Sequence, residues 1–251
     1  SSPSRGLGDV YKRQINTPLS EKSSLLLSAR RSYLQFLFKA LQLPFLPNYN
    51  DIQLKYTFNP NPKNQFNVIG LAAIDNFNLN PDANEGIDDP QKLAQNEYTL
   101  NNLPINEQWN YSLGGTWKRF FDNSNLLVVM SRSHLNNTAI KYQDYADLYS
   151  PKIIDYESQE IENKSRIEYN FRENNIKFNV GLNLEDATYL NSTQRILTSE
   201  ESIYTKLVET DLHFIKYGAF AQLSKNYLVD RLVTSIGFRI DGNSFTENTT
   251  T

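Results

Sequence analysis

Along residues 161–171 apolar and polar side chains change places at almost every step. Ile161, Ile167, Tyr169 and Phe171 fall on one parity; Glu162, Lys164, Arg166, Glu168 and Asn170 fall on the other. A period of two over so long a stretch predicts a β-strand with one apolar and one charged face. Strands of soluble proteins commonly stop after about 5–6 residues. A longer strand, apolar on one side and ionic on the other, suits a wall between lipid and water. The same alternation recurs down the chain and predicts nine strands: Ser23–Arg31, Asp51–Phe58, Gln65–Asp75, Gln108–Phe120, Asn125–Asn137, Glu157–Phe171, Ile176–Tyr189, Glu209–Leu223 and Leu232–Asn243. An apolar stretch that can be helical, Tyr33–Leu43, follows the first and is closed by Pro44 and Pro47.

The breaks between these segments carry turn chemistry. Asn59–Asn64 (NPNPKN), Phe121–Ser124, Arg172–Asn175 and Lys225–Arg231 are short. They are rich in residues that stop strands and start turns. The remaining breaks are predicted to be long: Asn76–Glu107, the region of Tyr142–Tyr156, and a loop centred on Thr198–Ser202. Alternating short and long connections predict an all-β, antiparallel up-and-down meander. Short turns would lie at one rim and long loops at the other, as in a transmembrane β-barrel, here an open curved sheet. Tyr56, Phe58, Phe66, Trp117, Phe120, Phe121, Tyr169, Phe171, Phe178 and Tyr227 gather near the short turns. Tyr49, Trp109, Tyr111, Tyr156 and Phe214 gather towards the other rim, so two interfacial aromatic belts are expected.

Composition narrows the classes further. The stretch Ser1–Gln14 contains SRGLGDVYKRQ, which looks like a translated sequencing adapter at the end of an assembled metagenomic read. It is set aside from fold reasoning, leaving residues 15–251 as the folded portion. It carries Arg5, Lys12 and Arg13 against Asp9, so without it the formal charge falls from −3 to −5. A mildly acidic chain with no basic block is a poor partner for nucleic acid. With no cysteine there are no disulfides and no thiolate metal sites. No apolar run reaches the roughly 18 residues of a membrane helix, which leaves strands that cross a membrane untouched.

No residue set suggests catalysis. His134 and His213 are the only histidines, and neither adjoins a nucleophile motif. Asp82–Asp89 superficially resembles a calcium loop, but Gly86 comes one position early and Leu93 stands where a bidentate glutamate belongs. No cofactor is expected. The charged strand positions carry more information. Lys55, Lys118, Glu162, Lys164, Arg166, Glu168, Lys177, Glu185, Arg239 and Asp241 are expected to share one face. An outward Arg or Lys costs about 2–4 kcal/mol at mid-bilayer, so in a membrane this face must line the lumen. Tyr142, Tyr145, Tyr149 and Tyr156 form a candidate stacking set for a ligand in the long loops.

Two ordered groups of motifs carry a family resemblance. The first is SLLLSARRSYL at Ser24–Leu34 followed by YNDIQLKYTFNPNPKNQFNVIGLAAIDNF at Tyr49–Phe77. It contains the Asp51/Lys55 spacing, the NPKNQF turn and Asp75 at the end of the next strand. The second is YGAFAQLSKNYLVDRLVTSIGFRID at Tyr217–Asp241. In it a strand ending AxAQ turns into one ending in Gly237, Phe238, Arg239 and Asp241. Together these resemble the barrel portion of TonB-dependent outer-membrane receptors, over roughly Ile15 to the C-terminus.

The resemblance implies a fragment of a barrel of about 22 strands closed around a plug. It implies location in the outer membrane of a Gram-negative bacterium, with lipid against the barrel. It also implies a nutrient ligand such as a siderophore, oligosaccharide or peptide. Coupling would run to the TonB complex through a plug region absent from this sequence, and a surface lipoprotein could accompany the receptor. Arg30, Arg31, Asp51 and Asp75 match motif positions and are expected, with Lys55, Arg166, Arg239 and Asp241, to face the lumen or contact the plug. A passive porin-like channel, or less readily a soluble β-sheet binding protein, is the other reading of the same pattern.

Overall fold

A computed structural model describes residues 10–198, 203–227 and 231–245. Ten strands form one antiparallel sheet in which every strand pairs with its neighbour in sequence. They are β1 (Val10–Ser20), β2 (Ser23–Ser32), β3 (Phe45–Asn61), β4 (Asn64–Leu79), β5 (Ile105–Phe120), β6 (Ser124–Tyr142), β7 (Lys152–Glu173), β8 (Ile176–Thr198), β9 (Ile203–Tyr227) and β10 (Leu232–Asn243). The expected nine-strand meander is therefore ten strands. The added strand, β1, begins inside the stretch set aside as an adapter, pairing Gln14 with Ser28 and Ile15 with Leu27. Ser23–Arg31 accordingly lies inside the sheet and not at its edge. Of the stretch set aside, Ser1–Asp9 lies outside the described residues.

Local chemistry places the turns. The β7–β8 hairpin closes on Asn174 and Asn175, with Glu173 opposite Ile176. Both asparagines have positive φ, 47° and 64°. A two-residue hairpin with left-handed backbone at both positions matches strand twist, and asparagine tolerates that conformation best after glycine. Pro62 and Lys63 turn β3 into β4, and Asn61 Oδ1 accepts from the Lys63 backbone N–H at 3.0 Å. The turn expected at Lys225–Arg231 starts later, because β9 runs on to Tyr227; Leu228–Asp230 lie outside the described residues.

At the other rim the β2–β3 connection holds a helix, α1 (Leu34–Ala40), as the apolar run predicts. The stretch expected as a plain loop after β4 contains a 3-10 turn, Pro81–Asn84, and a helix, α2 (Pro90–Asn102). Asp89 caps α2 by accepting from the Gln91 N–H at 2.9 Å, and Pro90 sits in its first turn. These are standard helix-start residues. The long loop expected around Thr198–Ser202 is not found. Thr198 already pairs with Ile203, and the strands run longer instead, to 23 and 25 residues. Residues 199–202 themselves lie outside the described residues.

The register sorts side chains onto two faces. On one lie Ile52, Leu54, Val68, Leu113, Trp117, Val128, Met130, Ile167, Val180, Leu182, Leu184, Ala219, Ile236 and Phe238. This band crosses the sheet strand by strand and has no layer of the described chain over it. Met130 is 63% exposed and Leu182 59% exposed. The only buried hydrophobic residues among those described are Ala83, Leu100 and Ala187, and the first two lie in the β4–β5 connection. A sheet this long with its apolar face uncovered is not a two-layer sandwich.

Near the short turns the band ends in aromatics. Phe66 stacks on Trp117 at 6.3 Å, and the Trp117 indole donates to Asn64 Oδ1 at 3.0 Å. Towards the other rim, on the same face, it ends in a hydrogen-bonded row across five strands. Arg132 donates to the Tyr111 hydroxyl (3.1 Å) and to Asn163 Oδ1 (2.8 Å). Asn163 donates to Asp186 (3.4 Å), and His213 pairs with Asp186 (2.6 Å). Trp109 and Tyr111 stack beside this row at 6.4 Å, and the Trp109 ring meets His134 edge-on at 4.7 Å. The aromatic belts are thinner than expected. Phe120, Tyr49, Tyr156 and Phe214 fall on the opposite parity, because nearness to a rim does not decide the face.

Candidate functional site

The second face holds the chemistry. Lys55, Lys118, Glu162, Lys164, Arg166, Glu168, Lys177, Glu185, Arg239 and Asp241 all lie on it by register, as their alternation predicts. Apolar residues interrupt it around Ile69, Leu71, Leu127 and Val129, so it is mixed over β4–β6. Over β7–β10 it is a lattice of ion pairs. Lys164 lies 2.6 Å from Glu162 and 3.8 Å from Glu185, and Glu185 also takes Lys216 at 2.7 Å. Arg166 donates to Glu168 through Nε and Nη2, at 3.0 and 2.5 Å. Arg239 grips Asp241 two residues on, with Nη2 at 2.7 Å.

Most of these groups are a third or more exposed, so each pair within β7–β9 is worth no more than about 1 kcal/mol. Their effect is to hold long side chains flat and leave a wetted wall. Glu168 and Glu185 are the exceptions, at 13% and 20% exposed, and Glu185 alone is shared by two lysines. Glu185→Gln should therefore lower the unfolding midpoint more than Asp241→Asn does. Thermal melts of the two variants check this, and an equal shift would count against the bridge.

A close contact was not foreseen in the sequence. Phe220 lies on the polar face over Gly181, its partner across β8–β9. A Cβ built on Gly181 would stand 2.5 and 2.7 Å from the Phe220 ring and 3.0 Å from the Ile167 carbonyl oxygen. The Arg166 guanidinium covers the ring at 5.1 Å. Likewise Gly218 makes room for Asp241 and Asn183. Nothing local marks these glycines; only the strand register joins each to its partner.

Of the motif residues, Arg30 and Asp51 face each other across β2–β3, and Arg30 Nε reaches both Asp51 oxygens at 2.9 Å. Asp51 thus pairs with Arg30 and not with Lys55, which has no ion-pair partner among the described residues. Asp75 stands opposite Tyr49 and Gln108 on the same face. Arg31 is a correction. It shares the parity of Leu27 and Ala29 and stands opposite Asn50, so it belongs to the apolar face, not to the charged one. Two adjacent arginines on a strand must point to opposite sides.

The four loop tyrosines do not form one stack; no ring contact joins any two of them among the described residues. Tyr142 ends β6 beside a bulge, opposite Lys152. The Tyr156 hydroxyl donates to Ser158 Oγ at 2.7 Å, on the polar face. Tyr149 is 99% exposed. Tyr145 has a defined role. Its hydroxyl donates to both Glu97 oxygens, at 3.2 and 3.1 Å, joining the β6–β7 loop to α2.

Burial pushes the Tyr145 phenol up, and the Glu97 carboxylate adds to the shift. Glu97 also accepts from Asn84 at 3.3 Å, and Gln42 donates to the Glu85 carbonyl at 2.9 Å. Three loops are therefore tied into one cap, with Leu100 and Ala83 as its small core. Tyr145→Phe removes the tie worth about 1 kcal/mol. The β6–β7 loop keeps its own turns, in which the Ala146 N–H donates to Asp144 Oδ1 and the Tyr149 N–H donates to Asp147 Oδ1. The expected result is several-fold faster proteolysis at residues 143–151 with an unchanged unfolding midpoint. Unchanged proteolysis would mean that Glu97 does not restrain the loop.

No protein-family model and no curated protein sequence matches the chain. Solved structures do match its fold. The chain is similar to the copper transporter OprC, with TM-score 0.64 and 9% identity over 93% of this chain and 34% of that one. It is similar to a mutant of the ferric enterobactin receptor PfeA from Pseudomonas aeruginosa, with TM-score 0.62 and 11% identity over 96% and 37%. The siderophore receptor PirA from Acinetobacter baumannii gives TM-score 0.60 and 11% identity over 96% and 36%. The chain thus spans about a third of the length of these proteins. Its ten strands have the fold of a stretch of barrel wall from TonB-dependent outer-membrane receptors.

Proposed function

We propose that this chain is part of the barrel of a TonB-dependent outer-membrane receptor that takes up a scarce nutrient in a Gram-negative bacterium. The observation that supports it most is the sorting of the sheet into one continuous uncovered apolar band and one ion-paired face. Lipid would cover the band, with its aromatic ends at the headgroups. The ion-paired face would line a wet lumen around a plug, and the cap of tied loops would stand over the cell surface as the first contact for ligand. A siderophore, oligosaccharide or peptide would suit such a cap, with or without a surface lipoprotein, and energy would arrive through TonB.

The test uses the complete protein that carries this chain. Reconstituted into a planar bilayer, it should show no steady ionic conductance. In cells, its nutrient uptake should stop when the proton-motive force is dissipated. An open, ohmic channel with energy-independent uptake would replace this reading by a passive porin.

A further inference from the structure

The polar face changes character below the cap of tied loops. Further down it carries Lys118, Lys164, Arg166 and Lys177. Nearer the cap, one cross-strand row runs Tyr49, Asp75, Gln108, Asn137, Ser158 and Asn191, each the register partner of the next from β3 to β8. The rows on either side of it begin at Asp51 and at Pro47. Across all three rows the charged residues are Asp51, Asp75 and Glu160, and none is a cation. Asp51 is held by Arg30 of β2. An anionic cargo, such as a ferric chelate of catecholates, would meet repulsion here and no free counter-charge.

What the row offers is unengaged hydrogen-bonding capacity. Asp75, Gln108 and Asn137 are partly exposed, and their side chains have no hydrogen-bond partner among the described residues. A carboxylate accepts from several donors, and a carboxamide both donates and accepts. Tyr49, 45% exposed, stands beside Asp75 and presents a ring. Phe77, next along the face, stacks on Phe45 at 5.1 Å, and Phe45 meets Phe38 of α1 at 5.3 Å, so aromatic rings bound the row on its cap side. Ring faces beside neutral donors and acceptors fit a sugar, which has an apolar C–H face and a rim of hydroxyls. The spacing agrees. Neighbouring strands set these groups about 4.8 Å apart, close to the repeat of an extended chain of pyranose rings. Groups on one side of an extended peptide recur only every roughly 6.7 Å.

We infer that this row is a subsite for an uncharged oligosaccharide, with one ring against Tyr49 and hydroxyls shared among Asp75, Gln108 and Asn137. The inference narrows the nutrient class and rests on the reading of the polar face as the lumen wall.

The test is binding to the complete protein in detergent. The probes are an array of uncharged gluco-, manno-, xylo- and galacto-oligosaccharides, a ferric tris-catecholate and a set of short peptides. At least one oligosaccharide should bind, and the chelate and the peptides should not. The double variant Gln108→Ala/Asn137→Ala should weaken that binding roughly tenfold. Tyr49→Ala should weaken it as well, whereas Tyr49→Phe, which keeps the ring, should bind like the parent. Unchanged heat-dependent gel mobility identifies the variants that are folded, and the two sets of substitutions lie on different strands, so the loss of one leaves the other to decide. Absence of oligosaccharide binding, unchanged affinity in the folded variants, or chelate or peptide binding that depends on Gln108 and Asn137 would overturn the subsite. Failure of the transport reading would look different: an open, energy-independent channel that still binds the sugar through this row.

Discussion

Leu182→Arg is expected to cost about 2–4 kcal/mol and to abolish stable insertion, because it puts a cation on the apolar face at mid-band. Leu182 is flanked by Val180 and Leu184 on its own strand and by Ile167 and Ala219 across the sheet. None of these offers a hydrogen bond or counter-charge. The Asp186 carboxylate on the same face is two turns of the pleat away and already holds His213 and Asn163. An arginine at residue 182 would have to desolvate or drag water into the hydrocarbon. Asn110→Arg is the matched control. It lies on the other face, between Ala73 and Leu135, where a cation stays wet. The measurement is equilibrium unfolding of the complete protein in lipid vesicles, with gel mobility before and after heating. A large loss for Leu182→Arg with little change for Asn110→Arg is the expected pattern. Equal effects would mean that the two faces are not lipid and water, and the transport proposal would lose its physical basis.

The second large effect is expected at Gly181. Even an alanine would place a methyl carbon 2.5 Å from Phe220, well inside contact distance. Relief is limited, since Arg166 covers the ring and the Ile167 carbonyl oxygen stands 3.0 Å from the new carbon. Overpacking of this kind costs about 1–3 kcal/mol. Gly181→Ala should therefore destabilise, and it should do so much less in a Phe220→Ala background. A double-mutant cycle reads that difference directly. Strict additivity would show that the glycine is needed for its backbone and not for the ring above it.

These two sites also show what could be read from residue order alone. The face of Leu182 was legible, because alternation fixes parity without knowing any partner. The ten charged positions on the polar face were legible for the same reason. Gly181 and Phe220 were not, since a contact across strands depends on register, and register is set by the turns at either end. The missed strand β1 has another cause. Its first residues, Val10–Gln14, were set aside with the adapter-like stretch; the rest, Ile15–Ser20, alternates too weakly to predict a strand, and pairing with β2 supplies what the pattern lacks. The long strands β8 and β9 outran the alternation as well. Beyond the Asp186–His213 pair apolar residues fall on both parities, as with Ile196 and Leu197 in β8 and Leu207 and Val208 in β9, so the alternation ends while the backbone ladder continues. Arg31 was misplaced because a motif was followed where parity already gave the answer. The loop tyrosines were grouped by composition, which carries no distance information.

The height of β9 has a consequence for what meets the protein first. Its 25 residues extend roughly 80 Å at about 3.3 Å per residue, whereas about 9–11 tilted residues cross a bilayer. On the transport reading, more than half of the strand stands clear of the lipid. β7 and β8 rise with it, so this part of the rim forms a tall parapet. Cargo approaching through surface polysaccharide would meet that parapet well before it meets the membrane.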